Sequence, residues 1–414
     1  MTPRRSLLPG LLPWLLVLVA GAARGADIPE RIILNLTAQP ATSMAVTWRT
    51  AGPHPDAAVE LAPATDTAAF AGQTRLVRAR STPLTTDRGA VVHHHSAILD
   101  GLQPATRYAY RVGHTREWSE WNQFATAATG PAPFQFVWFG DPQDDVLAHC
   151  ARTFREAARI AGGARLWLFT GDLCSDPVND RWGELFQAAG FAWRQIPSLL
   201  TPGNHDLAYL RQDGAIVRDA RGKKQRGLEV APLWRSHFTL PENGPPGESG
   251  TTYAVDFQGV RFILINTNGP LDAKAAWLDR TLAAAPQLWS IVAFHHPLYS
   301  SGRDRDDQAT RLAFGAIFDR HAVDLVLTGH DHAYARSQPL RGGQVVPSPG
   351  RGTIHVVSSS GPKSYPAQRL HHHLMARTGE GLMLFHPITV DGRTLRFEAR
   401  TAAGNLYDAF TLEK

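Results

Sequence analysis

The sequence predicts a β-sandwich followed by an α/β domain with a largely buried sheet, and three observations carry that division. From Arg31 to about Thr126, short alternating or apolar runs are separated by turn residues and show no helical period. Beyond Phe134 the grammar changes, and apolar strands alternate with helical segments. Between the two, Thr129-Gly130-Pro131-Ala132-Pro133 reads as a linker, because two prolines and a glycine do not continue a hydrogen-bonded ladder. The 414 residues suit two or three domains at about 100–200 residues each.

In chain order, residues 1–25 read as an export signal: Arg4-Arg5, an apolar stretch from Leu7 to Ala20, then small residues suited to cleavage. Pro9, Gly10 and Pro13 interrupt that stretch, which falls short of the ~20 residues that span a bilayer. The mature chain is therefore expected to lack a transmembrane segment and to be periplasmic or extracellular. An ordinary secretory leader is the simpler reading, and Arg4-Arg5-Ser6-Leu7-Leu8 also resembles a twin-arginine signal. The first domain is expected over 28–128, with its clearest strands at 45–48, 97–99 and 108–112. The second is expected over 131–414, with strands at 134–139, 166–169, 197–200, 262–265, 291–294 and 323–327. Helical spacing marks 145–161, 181–190, 272–285 and 307–320. From about 207 to 250 the chain is charged and rich in Gly and Pro, which fits a lid or a flexible insertion beside a site.

Composition excludes several classes. At 43% hydrophobic and 19% charged, the chain is too apolar for a disordered protein. Lys+Arg 42 against Asp+Glu 37 is a thin excess, and its one short basic run, Lys223-Lys224-Gln225-Arg226, reads as a solvated loop, so no nucleic-acid partner is indicated. Cys150 and Cys174 match no zinc motif and are either buried thiols or one bridge. The tracts His93-His94-His95 and His371-His372-His373 look like metal sites, but strand alternation sends neighbours of the first to opposite faces, so solvent-exposed filler is expected there, and the second is a candidate for the rim with no role expected. Tyr334 and Arg336 could reach a substrate oxygen, with a structural ion pair the simpler reading for Arg336, and Asn35-Leu36-Thr37 is a glycosylation sequon only in a host that glycosylates.

Nearly every strong strand of the second domain ends in a short polar block. Phe139 leads into Gly140-Asp141-Pro142-Gln143, and Thr170 into Gly171-Asp172. Pro202 leads into Gly203-Asn204-His205-Asp206, Phe294 into His295-His296-Pro297, and Thr328 into Gly329-His330-Asp331-His332. The carboxyl ends of strands in an α/β sheet line one crevice, so the blocks are expected to converge. Two carboxylates, an amide oxygen and four or more imidazoles form a donor set for first-row metals. One ion cannot use them all; two ions about 3.5–4 Å apart can, with Asp172 between them. Each Gly-Asp pair taken alone is an ordinary strand-end turn, and only the ordered set of five reverses that.

In this order the blocks resemble the metallophosphoesterase (calcineurin-like) superfamily, and with a sandwich in front they resemble its purple acid phosphatase-like branch. The run Leu99-Asp100-Gly101-Leu102-Gln103-Pro104, continuing to Tyr108 and Tyr110, is similar to the late-strand signature of fibronectin type III-like modules. The resemblance covers nearly the whole mature chain. It implies a fibronectin type III-like sandwich, then a metallophosphoesterase domain of two packed mixed sheets flanked by helices. It also implies that Asp141 and His332 hold a first metal, Asp172 bridges, and Asn204, His295 and His330 complete the second. His205 would face the leaving group, Asp206 would orient it, and His296 either faces phosphate or stacks under Pro297. Two divalent or trivalent ions (Fe, Mn or Zn) and a bridging hydroxide would act on a small-molecule phosphate ester. Two positions depart from the branch. Ser175 stands where it carries a metal-binding tyrosine, and Gln143 where the wider superfamily has a histidine, so an amide oxygen could approach the first metal. Without a phenolate, divalent Mn, Zn or Fe is favoured over Fe(III), and a colourless enzyme is expected. The implied activity is acid phosphatase-like hydrolysis of phosphomonoesters. A phosphodiesterase is the near alternative, and a metal-free binding or adhesion protein the distant one.

Overall fold

The computed structural model describes residues 27–414 except 116, 285–286, 304, 348–351 and 368–369; the expected export signal lies outside the described residues. Eight strands build the first domain: β1 (Glu30–Asn35), β2 (Met44–Thr50), β3 (Ala58–Pro63), β4 (Arg75–Arg78), β5 (Arg80–Thr85), β6 (Val91–Leu99), β7 (Arg107–Gly113) and β8 (Asn122–Ala125). They form the layers β1-β2-β6-β5 and β4-β3-β7-β8, each antiparallel throughout. The Tyr108 hydroxyl accepts the Gln103 amide at 2.8 Å, which latches the start of β7 to the preceding loop.

The second domain continues with β9 (Phe134–Phe139), α1 (Ala151–Ile160), β10 (Leu166–Phe169), α2 (Asn179–Ala189), α3 (Ala192–Gln195) and β11 (Ser198–Leu200). An arm follows: β12 (Leu207–Tyr209), β13 (Arg211–Gln212), β14 (Ala215–Ile216), β15 (Arg226–Val230) and α4 (Pro232–His237). Then come β16 (Tyr253–Phe257), β17 (Val260–Ile265), α5 (Asp272–Ala283), β18 (Trp289–Phe294), α6 (Gln308–His321) and β19 (Leu325–Thr328). The chain ends through β20 (Tyr334–Ser337), β21 (Leu340–Arg341), β22 (Gln344–Val345), β23 (Ile354–Val357), β24 (Met375–Gly379), β25 (Leu384–Asp391), β26 (Thr394–Thr401) and β27 (Leu406–Glu413).

Two mixed sheets face each other in this domain, ordered β27-β26-β25-β9-β10-β11 and β16-β17-β18-β19-β23-β20-β24. Strand alternation explains why the runs are apolar on both faces. On β17, Phe262 and Leu264 join the core between the sheets, whereas Ile263 and Ile265 join the cluster beneath α5 and α6. The same division separates Ile291 and Ala293 from Val292 and Phe294 on β18. Phe136 and Phe262 meet edge to face across the gap at 5.1 Å, and the Tyr253 hydroxyl donates to Leu200 O and accepts from Leu200 N. Because β9, β10 and β11 run parallel in one sheet, and β17, β18 and β19 in the other, their carboxyl ends carry the five blocks.

The two domains are joined by more than a linker. Strand β1 pairs in parallel with β11 through Asn35 and Ser198, so one ten-stranded sheet runs from β27 to β5. Asn35 is fully buried there, donating to Ser198 O and accepting the Thr239 amide. It is thus closed to a glycan. His94 and His95 are 4% and 0% exposed, against the expectation of solvent-exposed filler. The reason is that β6 lies between β2 and β5 and both its faces are covered: His94 lies edge-on to His237 of α4, and on the opposite face His95 stacks on Trp48 and bonds Thr50 and Ser81. Residues 207–250 form a hairpin arm and a short helix rather than a structureless lid.

Candidate metal centre

All five blocks meet where the strands of the two facing sheets end. Asp141, Asp172 and His332 bring ligand atoms within 4.8 Å of one another, and so do His295, His296 and His330. The two groups adjoin: His295 Nε2 lies 3.4 Å from Asp172 Oδ2 and 3.1 Å from Asn204 Oδ1. His330 Nδ1 is 3.1 Å from His295 Nε2, and His332 Nε2 is 3.5 Å from Asp141 Oδ2. The expected ligands Asp141, Asp172, Asn204, His295, His330 and His332 are therefore one cluster.

The backbone is strained to achieve this. Asp141, Asp172, His330 and His332 all sit at positive φ (38°, 52°, 75° and 49°), a region that non-glycine residues seldom occupy. Asp and His tolerate it better than most residues. The glycines before them serve close approach: a Cβ at Gly329 would collide with Asp141 Oδ1, and one at Gly203 with Asp172 Oδ1. Backbone amides also aim the carboxylates. The His330 amide points at both oxygens of Asp141 (2.9 and 2.8 Å), and the His205 amide donates to Asp172 Oδ1 at 2.7 Å.

The electrostatics ask for a cation. Burial raises the Asp141 carboxyl well above the usual range, and Asp172 adds to that rise. Burial also disfavours charge on His295, yet Asp172 and Asp141 outweigh it and push that imidazole up to about 9. The other rings are held neutral: burial and His295 lower His330, and burial and Lys363 pull His332 down to about 3. His295 Nδ1 faces Thr170 O at 2.9 Å, leaving Nε2 turned to oxygens and to another ring nitrogen. Neutral imidazoles beside carboxylates are what a metal ion needs, so the residues fit the expected ions.

Gln143 is fully buried at the same place. Its amide nitrogen donates to Asp172 Oδ2 at 2.8 Å and lies 3.0 Å from His332 Nε2, while Oε1 has no hydrogen-bond partner. His205 presents its ring to the cavity beyond Asn204, with Nδ1 bonded to Ser175 O at 2.6 Å so that Nε2 is the outer atom. Asp206 does not orient this ring. Its carboxylate accepts from the amides of Asp172, Leu173 and Gly203 and ties the second and third blocks together, and the carbonyl of Ser175 does the orienting. Burial and the charge of Asp172 raise Asp206 to about 7. His296 packs on His330 at 4.5 Å, bonds Thr267 through Nδ1, and is lowered to about 3 by burial and by His295.

Sequence reasoning missed a sixth block. Val357 leads into Ser358-Ser359-Ser360-Gly361, the same strand-to-turn pattern as the others, and the following strap is pinned to two ligands. Gly361 N donates to Asp141 O, Tyr365 N to His332 O, and the Tyr365 ring meets His332 edge-on at 5.0 Å. Lys363 lies between these anchors, 3.5 Å from Asp144. Arg305 donates to His330 O and stacks on Tyr365 at 4.7 Å. Arg226 braces the other side, donating to His205 O, Leu207 O and Ser175 O. Tyr334 and Arg336 both bond Asp408 and stay structural, and Cys150 and Cys174 are free buried thiols with separate carbonyl partners.

Comparison with known proteins identifies the fold and the family. Residues 29–126 match the purple acid phosphatase N-terminal domain, and residues 134–334 match the calcineurin-like phosphoesterase domain. An uncharacterised protein of Mycobacterium tuberculosis is 27% identical over 381 residues, spanning 80% of this chain and 68% of its own. Mouse acid phosphatase type 7 is 25% identical over 374 residues, 80% of this chain and 77% of its own. The fold of purple acid phosphatase PPD1 from yellow lupin seeds superposes with a TM-score of 0.77 at 18% identity, covering 94% of this chain and 74% of that one. The chain belongs to the calcineurin-like metallophosphoesterases, in the branch that carries the purple acid phosphatase N-terminal domain, and is a hydrolase of phosphoric esters.

Proposed function

We propose that this chain is an exported phosphomonoesterase that works with two metal ions. The observation that carries the proposal is the meeting of Asp141, Asp172 and His332 with Asn204, His295 and His330 at the ends of two facing sheets. Asp141 and His332 would hold the first ion, Asp172 both, and Asn204, His295 and His330 the second. When bound, the pair supplies an activated water and neutralises charge on the phosphoryl oxygens. Asp172 and Asp141 are the anionic donors of the set. With Ser175 where a phenolate would add a third negative charge, and the neutral Gln143 where the wider superfamily has a histidine, two divalent ions match the donor set better than a pair containing Fe(III). The orphaned Oε1 of Gln143 suits a neutral oxygen donor to the first ion, reached by turning the amide over.

The chain's own residues complete the chemistry. His205 Nε2 gives a proton to the departing alcohol, while Ser175 O holds the ring by Nδ1–H. Asp206 keeps Asp172 and Gly203 in register by accepting their amides. Lys363, on its pinned strap, offers positive charge at the rim. Export rests on the leader of residues 1–25, and no helix among the described residues is long and apolar enough to cross a membrane.

The test is turnover of p-nitrophenyl phosphate against bis(p-nitrophenyl) phosphate by the Mn- or Zn-loaded protein. Faster cleavage of the monoester is the expected result. Preference for the diester would make the enzyme a phosphodiesterase. No turnover of either, with less than about one metal per chain, would return it to the binding-protein reading.

A further inference from the structure

The one basic run of the sequence does not end in open solvent. Lys223-Lys224-Gln225-Arg226 lies along the wall of a cavity of about 650 Å³ that opens directly off Asn204 and His205. Tyr209 from β12 stands between them, with its ring 4.8 Å from the Lys224 ammonium and 4.7 Å from the Arg226 guanidinium. Arg226 is committed to three carbonyl oxygens and serves as a brace. Lys224 is held more loosely. Its Nζ is 3.4 Å from both Asp176 Oδ2 and the Tyr209 hydroxyl, against about 2.7–2.9 Å for a well-formed bond between charged partners. Of the two acids on this wall, Asp219 turns one oxygen onto the amides of Arg221 and Lys223, and Asp176 also accepts the Tyr209 hydroxyl. Three cations against two carboxylates leave the wall positive, with the Tyr209 side chain and the half-exposed Lys224 ammonium among the groups that line the cavity.

Position gives this wall a purpose. His205 protonates the departing alcohol in the reading above, so the alcohol portion of the ester lies on the His205 side of the metal pair, which is where the cavity opens. We propose that the cavity holds the leaving alcohol and selects phosphomonoesters whose alcohol carries a second anionic group, a carboxylate or another phosphate. Lys224 is the specificity-determining contact, Lys223 adds to the field, and Tyr209 packs against the carbon skeleton between the two anions. The inference rests on the phosphomonoesterase reading and on His205 standing at the leaving group.

The experiment compares phenyl phosphate with 4-carboxyphenyl phosphate, two esters of similar shape that differ by one carboxylate, using the metal-loaded full chain. The wild-type protein is expected to favour the carboxylated ester by about fivefold in kcat/KM, through KM, at low ionic strength. That preference should shrink toward unity in 0.5 M NaCl, because a half-exposed ammonium is screened. In Lys224→Gln the ratio should fall to about one, and in Lys224→Glu it should invert. A ratio at or below one in the wild-type protein, or a ratio that Lys224→Gln leaves unaltered, overturns the proposal while the phosphatase reading stands. No turnover of either ester overturns both.

Discussion

Two sets of buried histidines sit in this chain, one in the sandwich and one at the strand ends, and they differ in their neighbours rather than in their burial. His95 on β6 is satisfied on both ring nitrogens by hydroxyls, Thr50 Oγ1 and Ser81 Oγ each at 2.7 Å, and its ring stacks on Trp48. His94 lies edge-on to His237. Burial lowers both below the usual imidazole range, to about 4 and about 3, and the groups that bond or stack on the two rings are hydroxyls and aromatic side chains. His295, equally buried, lies 3.4 Å from one carboxylate and 3.7 Å from another and is pushed the opposite way. A buried imidazole among hydroxyls and aromatics is a core residue. The same group among carboxylates, an amide oxygen and other imidazoles marks a place for a cation.

That contrast is broken most forcefully at the centre. Asp172→Asn should lower kcat/KM by about 10³-fold or more and remove bound metal, measured by elemental analysis beside the assay. Full metal content in that variant would deny Asp172 its place. His205→Gln should keep the metal while kcat falls about 10²-fold, the loss being smaller for p-nitrophenyl phosphate, whose leaving group needs less protonation. On the sandwich side, His95→Ala should cost about 2 kcal/mol of stability through two lost hydrogen bonds and a cavity. It should also leave kcat per folded molecule unchanged; a matching loss of bound metal would erase the distinction between the two sets. A smaller effect, about tenfold in metal affinity, is expected from Gln143→Leu. The loaded protein should be colourless, and a strong visible band lost in Tyr365→Phe would mean that this tyrosine, packed on His332, supplies a phenolate.

The smallest effect concerns the second histidine tract, His371-His372-His373. His371 and Arg311 hold Asp306 at about 2, the Arg311 hydrogen bond being the largest cause. Because the folded carboxyl is depressed, this stabilisation is present above the unfolded value of about 3.9 and is lost as pH falls toward 2. The group is about one third exposed, so screening limits the contribution to less than about 1 kcal/mol. Urea denaturation of Asp306→Asn should show that difference at pH 7 and none near pH 2.

Most of the site was legible because its residues announce themselves at strand ends. Gly140-Asp141, Gly171-Asp172, Gly203-Asn204-His205 and Gly329-His330 follow apolar runs whose length alone marks them as strands. The helices at Asn179–Ala189, Asp272–Ala283 and Gln308–His321 were likewise visible in their periodicity. What sequence could not convey was contact between distant segments. Asp206 was read as the partner of its neighbour His205, yet three backbone amides from two other blocks claim it. The burial of His94 depends on α4, a segment about 140 positions away that packs on β6. The C-terminal strands β25 to β27 went unread although Leu395, Phe397 and Ala399 on β26 alternate with Arg396, Glu398 and Arg400, and they complete the sheet that carries Asp141. Ser175 was noticed for the side chain it lacks, whereas its carbonyl does the work.

The most direct measurement is a crystal structure of the Mn-loaded protein with anomalous scattering recorded for the metal. Two peaks about 3.5–4 Å apart, with Asp172 touching both and Gln143 Oε1 turned toward the one beside His332, are the predicted result. A single peak, or peaks on His93–His95 with none beside Asp172, would contradict the account.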